Sequence, residues 1–294
     1  MNILFVGRAP EYSPNNIESD QAIIDAVLMR LLKAGHAVTI VNEDNLTPAY
    51  LNQKDYVFTM ARRLSSIMML GTASGRVINT AEGALHTATS RELTLSMLQE
   101  AGIAVSPYWA YDPEEDQMFQ TDPELQALLP GWVKAMHPTG ITEDDVTYVT
   151  TPLQADSLVM QLVADDYTDV IVTRHLEGPV VKVYCVLGAD GQPTFLRWFL
   201  PQREGYSKFG DEVHNTPCPD QVELDEAQLR RQAVSVGETL GLEVFGYDAI
   251  LEPSGQLTVI DVNDWPSFSH FRSEAADAIA RLADPSVGSA TPLQ

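Results

Sequence analysis

Two β-rich runs near the carboxyl end of the chain carry two carboxylates and an amide at a spacing that suits metal binding. Residues 246–251 and 259–263 flank a Pro-Ser-Gly turn, which predicts an antiparallel hairpin. Asp261 and Asn263 are two residues apart and project from one face, where Asp248 can join them from the neighbouring strand. These hard oxygen ligands suit Mg²⁺, which usually shares them with substrate phosphates. The alternative is a hairpin with a merely polar outer face.

Positive charge is scarce, and part of it lies where burial would be costly. The chain has 18 Lys and Arg residues against 41 Asp and Glu residues. Lys134, Lys182 and Arg197 lie within apolar strands, where a cation needs an anionic partner. That partner is either one of the protein's own carboxylates or a bound phosphate chain. We favour the phosphate chain, because it would also recruit Mg²⁺ to the acidic hairpin.

Composition limits the classes of function. With 294 residues and 45% hydrophobic content, the chain is expected to be globular, with two domains or a two- to three-part enzyme. The net charge of −23 disfavours nucleic acid and anionic membranes as partners. We find no apolar run long enough to span a membrane and no signal peptide. Two cysteines, Cys185 and Cys218, are too few for a disulfide framework, so a cytoplasmic protein is expected.

The first part of the chain is typical of a small α/β unit. Strands over 3–7 and 38–41 flank a helix that Gly35 ends, which predicts a βαβ arrangement with parallel pairing. Ser19 and Asp20 are the candidate N-caps of that helix. The glycine-rich dinucleotide fingerprint and the Walker phosphate loop are both absent from the sequence.

The rest of the chain alternates between helical and extended patterns. Thr151-Pro152 predicts a helix start, and Asp190-Gly191 predicts a hairpin. The polar segment 137–151 is expected to be a mobile loop, and the tail 285–294 is expected to be disordered. Helices are predicted over 90–101, 152–164, 225–240 and 273–282, and strands over 132–136, 170–175, 180–187 and 194–200. Helical spacing places Leu32 on the apolar face of the first helix, and it places Leu229, Ala233, Val236 and Leu240 on one face of the helix over 225–240.

The order of these motifs from about residue 77 to residue 269 resembles the ATP-grasp superfamily. Several phrases carry the resemblance: Val77-Ile78-Asn79-Thr80, Ala101 to Pro107, Trp132-Val133-Lys134, and the triad Asp248, Asp261 and Asn263. Arg91 stands where the superfamily usually has a phosphate-contacting lysine. The resemblance extends to carboxylate–amine ligases like the ribosomal-protein glutamate ligases and to inositol trisphosphate kinases.

The resemblance implies an α/β (α+β) fold with a nucleotide cleft. A Rossmann-like pre-ATP-grasp domain would span 1–83. The first ATP-grasp part, with a small lid subdomain, would span 84–172. The carboxyl-terminal subdomain, with the Mg²⁺ site, would span 173–284.

The resemblance also implies ATP and Mg²⁺, with two ions, as the bound groups. Asp248, Asp261 and Asn263 would hold the metal. Lys182 and Arg197 would be the catalytic residues, with Lys182 holding the phosphates and Arg197 facing the γ-phosphate. Gly140 lies in the lid-like loop, and residues 173–176 form the hinge that reads adenine. The expected nucleotide contacts are Arg91, Lys134, Gly140, Thr173, Arg174, His175, Leu176 and Lys182.

The acceptor of the phosphoryl group is left open. Arg203 and Lys208 follow the hinge strands and are candidate substrate residues, as are Arg62 and Arg63 in the first domain. A carboxylate acceptor would make the protein a carboxylate–amine ligase working through an acyl phosphate, and a hydroxyl acceptor would make it an inositol phosphate-like kinase. The scarcity of positive charge favours the ligase, whereas the phrases around Lys182 and Asp261 favour the kinase.

Two further questions stay open in the sequence. A nucleotide-binding module without turnover is a third hypothesis for the function. The expected partner is a small acid or polyol, with neither nucleic acid nor membrane involved. Whether the protein acts as a homodimer is also undetermined.

Overall fold

A computed structural model describes residues 1–14, 16–115, 117–136, 145–201 and 222–284. The described strands form three four-stranded sheets, so the predicted α/β class is confirmed. Within these ranges no helix combines the length and apolar character needed to cross a membrane. The predictions for Gly140, Arg203, Lys208 and the tail 285–294 fall outside the described residues.

The first sheet is wholly parallel, with strand order β2-β1-β3-β4. The pairing of β1 with β2 confirms the predicted βαβ unit. The strands of this unit are β1 (Asn2–Gly7), β2 (Ala37–Asn42), β3 (Tyr56–Thr59) and β4 (Arg76–Ile78). Its helices are α1 (Ile17–Lys33), α2 (Pro48–Leu51), α3 (Leu64–Leu70) and α4 (Ala81–Thr89).

The predicted start of α1 was wrong. The helix begins at Ile17, with Asn16 as its N-cap, so Asp20 lies inside its first turns. There the Asp20 carboxylate forms an ion pair with Arg8 at 3.4 Å, and both side chains are largely buried. A tertiary partner therefore outweighs the local preference of aspartate for the cap position. Leu32, predicted on the apolar face, is 48% exposed.

The second sheet is antiparallel, with strand order β5-β8-β6-β7. Its strands are β5 (Tyr108–Ala110), β6 (Gly131–Met136), β7 (Val146–Val149) and β8 (Thr168–Arg174). The accompanying helices are α5 (Arg91–Glu100), α6 (Pro123–Gln126) and α7 (Pro152–Ala164). A capping box between Thr151 and Gln154 starts α7, which confirms the predicted helix start.

The prediction of a loop over 137–151 was wrong for its last part, because Val146–Val149 is strand β7. This strand lies at the edge of the sheet, and three of its four residues are only half-buried. A short edge strand has only a weak apolar alternation, so the sequence pattern of β7 did not stand out from the polar residues before it. The expected domain boundary at 172/173 falls within β8.

The third sheet is antiparallel, with strand order β10-β9-β11-β12. Its strands are β9 (Val180–Leu187), β10 (Pro193–Phe199), β11 (Val244–Leu251) and β12 (Leu257–Asp264). Its helices are α8 (Glu226–Leu240) and α9 (Arg272–Arg281). Both predicted hairpins, β9–β10 and β11–β12, are confirmed. The predicted apolar face of α8 is buried: Leu229, Ala233, Val236 and Leu240.

The first and third sheets are packed together through apolar and polar contacts. Trp265 lies edge-on to Phe5 at 5.3 Å between ring centroids, inside a cluster that also contains residues of α1 and α9. The buried Asn79 side chain accepts hydrogen bonds from the backbone N–H groups of Glu243 (2.8 Å) and Val244 (2.7 Å). Its amide nitrogen donates a hydrogen bond to the Val244 carbonyl. The end of β4 is therefore bonded directly to the start of β11.

The segment after α5 joins the second sheet to the third. Val105 forms an isolated parallel bridge with Val259 of β12. The Val259 N–H donates to the Ala104 carbonyl at 2.8 Å, and the Ser106 N–H donates to the Val259 carbonyl at 3.2 Å. Ser106 Oγ in turn donates to the Arg174 carbonyl at the end of β8. This segment thus bonds the second sheet to the third.

Candidate functional site

The predicted acidic pair lies on two neighbouring strands of the third sheet, β11 and the edge strand β12. Asp248 of β11 and Asp261 of β12 are paired in register, and Lys182 of β9 is paired with Asp248 from the other side. Lys182 Nζ donates to Asp248 Oδ2 at 2.6 Å, and both side chains are largely buried. Burial by itself would lower the pKa of Lys182, but the charge and hydrogen bond of Asp248 raise it above its usual value. The ammonium therefore stays charged at neutral pH.

The Asp261 carboxylate has its own polar neighbours. Arg91 Nη1 lies 3.3 Å from Asp261 Oδ1, and Asn263 Nδ2 donates to Asp261 Oδ2 at 3.1 Å. Asn263 and Asp261 therefore share one face of β12, as the two-residue spacing predicted. The Arg91 Nε atom is buried without a hydrogen-bond partner in the described structure.

Asp169, at the start of β8, positions Arg91. Its carboxylate accepts hydrogen bonds from Ser90 Oγ (2.6 Å), from the Arg91 N–H and from the Glu92 N–H (3.3 Å) at the first turn of α5. A carboxylate at a helix N-terminus also interacts favourably with the helix dipole. Sequence reasoning missed this residue, because a lone aspartate before a strand carries no signal of a partner 78 positions away.

We expect Asp169→Asn to lower the free energy of unfolding by about 1.5 kcal/mol, since it removes charge from hydrogen bonds at the α5 N-terminus. Asparagine tolerates the left-handed backbone of this position, φ 53°, so conformational strain is not the cause. Urea denaturation measures the change. Asp166→Asn is the matched control, because exposed Asp166 has a similar φ of 64°. An equal loss in both variants would contradict the assignment.

Lys134 of the second sheet contacts the backbone of β12 next to Asp261. Its Nζ donates to the carbonyl of Ile260 at 2.8 Å, and the side chain is buried. Ile260 directly precedes Asp261, so this bond joins β6 to β12 beside the predicted metal ligands. The structure thereby brings together six residues predicted from separate parts of the sequence: Arg91, Lys134, Lys182, Asp248, Asp261 and Asn263.

An aromatic group lies on the same face of β6 as Lys134. Trp132 is two residues before Lys134, and its ring centroid lies 4.9 Å from that of Tyr148 on β7. The Tyr148 ring is 5.5 Å from His175, and Trp132 Nε1 donates to His175 Nδ1 at 3.2 Å. Two of these rings had not been predicted to belong to the site, although Trp132 stands two positions from Lys134.

Most residues of the predicted hinge over 173–176 already bond through their backbone to neighbouring segments. Thr173 is paired with β5 on one side and with β6 on the other. The Arg174 N–H donates to the Pro107 carbonyl at 2.8 Å, and the His175 N–H donates to the Pro130 carbonyl at 2.9 Å. The backbone N–H groups of Arg174 and His175 are therefore already bonded within the protein. For reading the adenine edge, the prediction keeps Leu176 and the carbonyl oxygens of the hinge, which can accept a second hydrogen bond.

Three predicted basic residues have carboxylate partners outside the acidic pair. Arg197 Nη2 lies 2.6 Å from Glu274 of α9, and both side chains are about half exposed. Arg62 forms an ion pair with Asp264 and donates to the Thr87 carbonyl at 3.1 Å.

Arg63, the neighbour of Arg62, forms ion pairs with Glu11 and with Asp44, the latter at 2.6 Å. Hydrogen bonds to Asp44 and Glu11 raise the pKa of Arg63 above its ordinary value. A role for Arg197 at the γ-phosphate, and for Arg62 and Arg63 at the substrate, stays a prediction.

The donor chemistry of the hairpin fits Mg²⁺. Asp248 and Asp261 offer carboxylate oxygens, and each lies beside a cationic side chain. Among the described residues, no group of three or more His, Cys, Asp or Glu side chains could hold a metal ion. A site of two carboxylates and the Asn263 amide would therefore need phosphate oxygens or water as further ligands, as Mg²⁺ sites commonly do.

Comparison with known proteins shows a likeness in structure. No protein-family model and no curated protein matches the sequence. The D-alanine–D-alanine ligase of Coxiella burnetii is 14% identical with a TM-score of 0.69, covering 96% of this chain and 93% of its own. A RimK domain ATP-grasp protein of Sphaerobacter thermophilus is 17% identical with a TM-score of 0.64, covering 96% and 99%. The VanG D-Ala:D-Ser ligase of Enterococcus faecalis is 16% identical with a TM-score of 0.66, covering 96% and 98%.

Proposed function

Starting from the ATP-grasp fold of this chain, we propose that the protein is an ATP- and Mg²⁺-dependent enzyme that joins a carboxylic acid to an amine. One observation carries the proposal: Lys134 of the second sheet meets β12 of the third sheet next to Asp261. Asp261 is paired in register with Asp248 of β11, and Asp248 is paired in register with Lys182 of β9. Cationic side chains from two sheets and from α5 thus lie around two carboxylates, as a nucleotide–metal site requires.

The residues divide between the two ends of the nucleotide. The aromatic group of Trp132, Tyr148 and His175 offers flat surfaces for the base, two residues along β6 from Lys134. The phosphates would be held by Lys134, Lys182 and Arg91. Asp248, Asp261 and Asn263 would hold Mg²⁺, and the ATP-grasp resemblance implies two ions. Bound Mg²⁺ would neutralise the negative charge of the phosphates.

Phosphoryl transfer depends on positioning and on neutralising charge rather than on a covalent nucleophile. Lys182 stays protonated because Asp248 raises its pKa, so it carries a positive charge to the phosphates at neutral pH. Arg91 has a fixed place, since Asp169 holds the start of α5. Arg197 would have to leave Glu274 to reach the γ-phosphate. That exposed ion pair is weak, so the exchange costs little.

The proposed reaction has two steps. An oxygen of the acceptor carboxylate takes the γ-phosphoryl group of ATP, and ADP leaves. The amine nitrogen of the second substrate then attacks the carbonyl carbon of this acyl phosphate, inorganic phosphate leaves, and the amine loses a proton as the amide forms. The basic residues of the site would stabilise the negative charge of each transition state.

Two observations favour a carboxylate acceptor over a phosphorylated polyol. The structural relatives named above include ligases that join amino acids. In addition, Arg62 is paired with Asp264 and Arg63 is paired with Asp44, so a highly phosphorylated acceptor would have to compete for these arginines. A monocarboxylate acceptor places a smaller demand on these side chains.

The proposal is tested by measuring ADP and phosphate release from ATP and Mg²⁺. We expect release to require an acid and an amine together, with equal amounts of ADP and phosphate, and to stop when EDTA removes Mg²⁺. Pooled amino acids, other carboxylic acids and inositol phosphates form the panel. ADP release with a polyol alone, without free phosphate, would establish a kinase instead. Tight ATP binding without release would indicate a binding module.

A further inference from the structure

A buried ion pair lies directly behind the predicted metal ligand Asn263. The next residue, Asp264, is 1% exposed, and its carboxylate is paired with Arg62 from the loop after β3. Burying two charges is costly unless their geometry and hydrogen bonds are favourable, so such a pair is weak evidence for a purely stabilising role. Its place next to Asn263 points instead to the metal site.

A second arginine holds the backbone at the same place. Arg8, in the loop after β1, donates from Nη2 to the carbonyls of Asp264 and Trp265, each at 3.2 Å. Its Nε donates to the Met60 carbonyl at 3.3 Å, and its Nη1 lies 3.4 Å from Asp20. Two loops of the first sheet therefore bind both the side chain of Asp264 and the backbone at the end of β12.

These two loops are themselves fixed by a buried carboxylate. Glu43 accepts the backbone N–H of Ala9 at 2.6 Å and the N–H groups of Arg62 and Arg63 at 3.0 Å each. Asn42 Nδ2 also donates to the Arg8 carbonyl at 2.9 Å. The arginines thus extend from backbone that is held in place, which makes them suitable for setting the position of another segment.

We propose that Arg62 and Asp264 are positioning residues for the Mg²⁺ site. Their ion pair, with the bonds from Arg8, holds the end of β12 so that Asn263 and Asp261 present their oxygens in fixed positions. This inference rests on the proposed function, and it gives the first sheet a part in metal binding at the third. Contacts that orient metal ligands typically change metal affinity about 10–100-fold when removed.

Arg30 provides a control that separates positioning from general stability. This residue of α1 forms an ion pair with Asp277 of α9 and donates to the Ser273 carbonyl at 3.0 Å. Like Arg62, Arg30 joins the first unit to the part of the molecule that contains the third sheet. They contact α9 rather than β12.

The test compares Arg62→Gln and Arg30→Gln in the full chain. Mn²⁺ serves as the metal probe and is titrated in the presence of a non-hydrolysable ATP analogue. We expect Arg62→Gln to weaken Mn²⁺ binding about tenfold, with analogue affinity in EDTA unchanged. We expect Arg30→Gln to leave Mn²⁺ binding as in the wild type. Thermal denaturation of both variants records any general loss of stability.

A double variant covers the case in which Arg62→Gln does not fold, because Asp264 would be left as an unpaired buried charge. Arg62→Gln with Asp264→Asn removes that charge, so we expect folding to recover while Mn²⁺ binding stays weakened. Wild-type Mn²⁺ affinity in the double variant, or equal weakening by Arg30→Gln, would overturn the inference alone. Absence of Mn²⁺ binding in the wild type with the analogue would overturn the proposed function and this inference together.

Discussion

Replacing Asp261 with asparagine is expected to lower ATP turnover about a thousandfold, the size of effect seen when a charge-stabilising contact of a transition state is lost. Asparagine keeps the size of the side chain and can still accept the hydrogen bond from Asn263. The variant loses the charge that would bind Mg²⁺ and that faces Arg91 at 3.3 Å. ADP release at saturating ATP and Mg²⁺ measures the loss.

Glu252→Gln is the matched control for that substitution. Glu252 lies next to the turn of the same hairpin, where its carboxylate accepts a hydrogen bond from the Thr258 hydroxyl. This variant changes a carboxylate of the hairpin without touching the acidic pair, so turnover should stay near that of the wild type. Circular dichroism verifies that both variants are folded. A folded Asp261→Asn protein with wild-type turnover would remove Asp261 from the site.

Replacing Lys134 with methionine is expected to weaken ATP binding about 100-fold, because a charged hydrogen bond contributes up to about 3 kcal/mol. Methionine preserves much of the length of the side chain and its apolar packing. The substitution also removes the bond to the Ile260 carbonyl and leaves that carbonyl without this donor. We therefore expect a lower melting temperature as well. Isothermal titration with a non-hydrolysable ATP analogue measures the affinity.

Lys54→Met controls for the loss of one lysine charge from this acidic protein. Lys54 of the first unit donates to the Thr39 hydroxyl at 3.2 Å, which is also a single polar contact across neighbouring segments. Its replacement should leave the affinity for the ATP analogue unchanged. Equal affinities of Lys134→Met and wild type would show that Lys134 only joins the two sheets.

Local patterns were enough to predict most elements around the site. The alternating runs and the turn between them predicted the β11–β12 hairpin. The pairing of Asp248 with Asp261 also depends on a register shift between Asp248 and Ala249, which the sequence pattern did not indicate. Likewise, the helical spacing of α8 identified the residues that it buries, and Thr151-Pro152 marked the start of α7. These predictions succeeded because caps, turns and side-chain periods depend on residues only a few positions apart.

Predictions failed where a distant partner outweighed the local preference. Aspartate is a favoured N-cap residue, yet Asp20 lies inside α1 because Arg8 supplies a counter-charge. Strand β7 forms on the edge offered by β6, although the residues before it look like a polar loop. In both cases the decisive contact joins segments whose proximity has no local signal in the sequence.

The sequence alone determined which residues could do chemistry: a paired acidic hairpin on one side, and a few lysines and arginines placed in apolar strands on the other. The tertiary structure decided which of these meet. Arg91 and Asp261 are 170 positions apart, and Lys134 and Ile260 are 126 positions apart. The reason is physical: strand period and capping act within one element, whereas the pairing of buried charges depends on how whole sheets pack against each other.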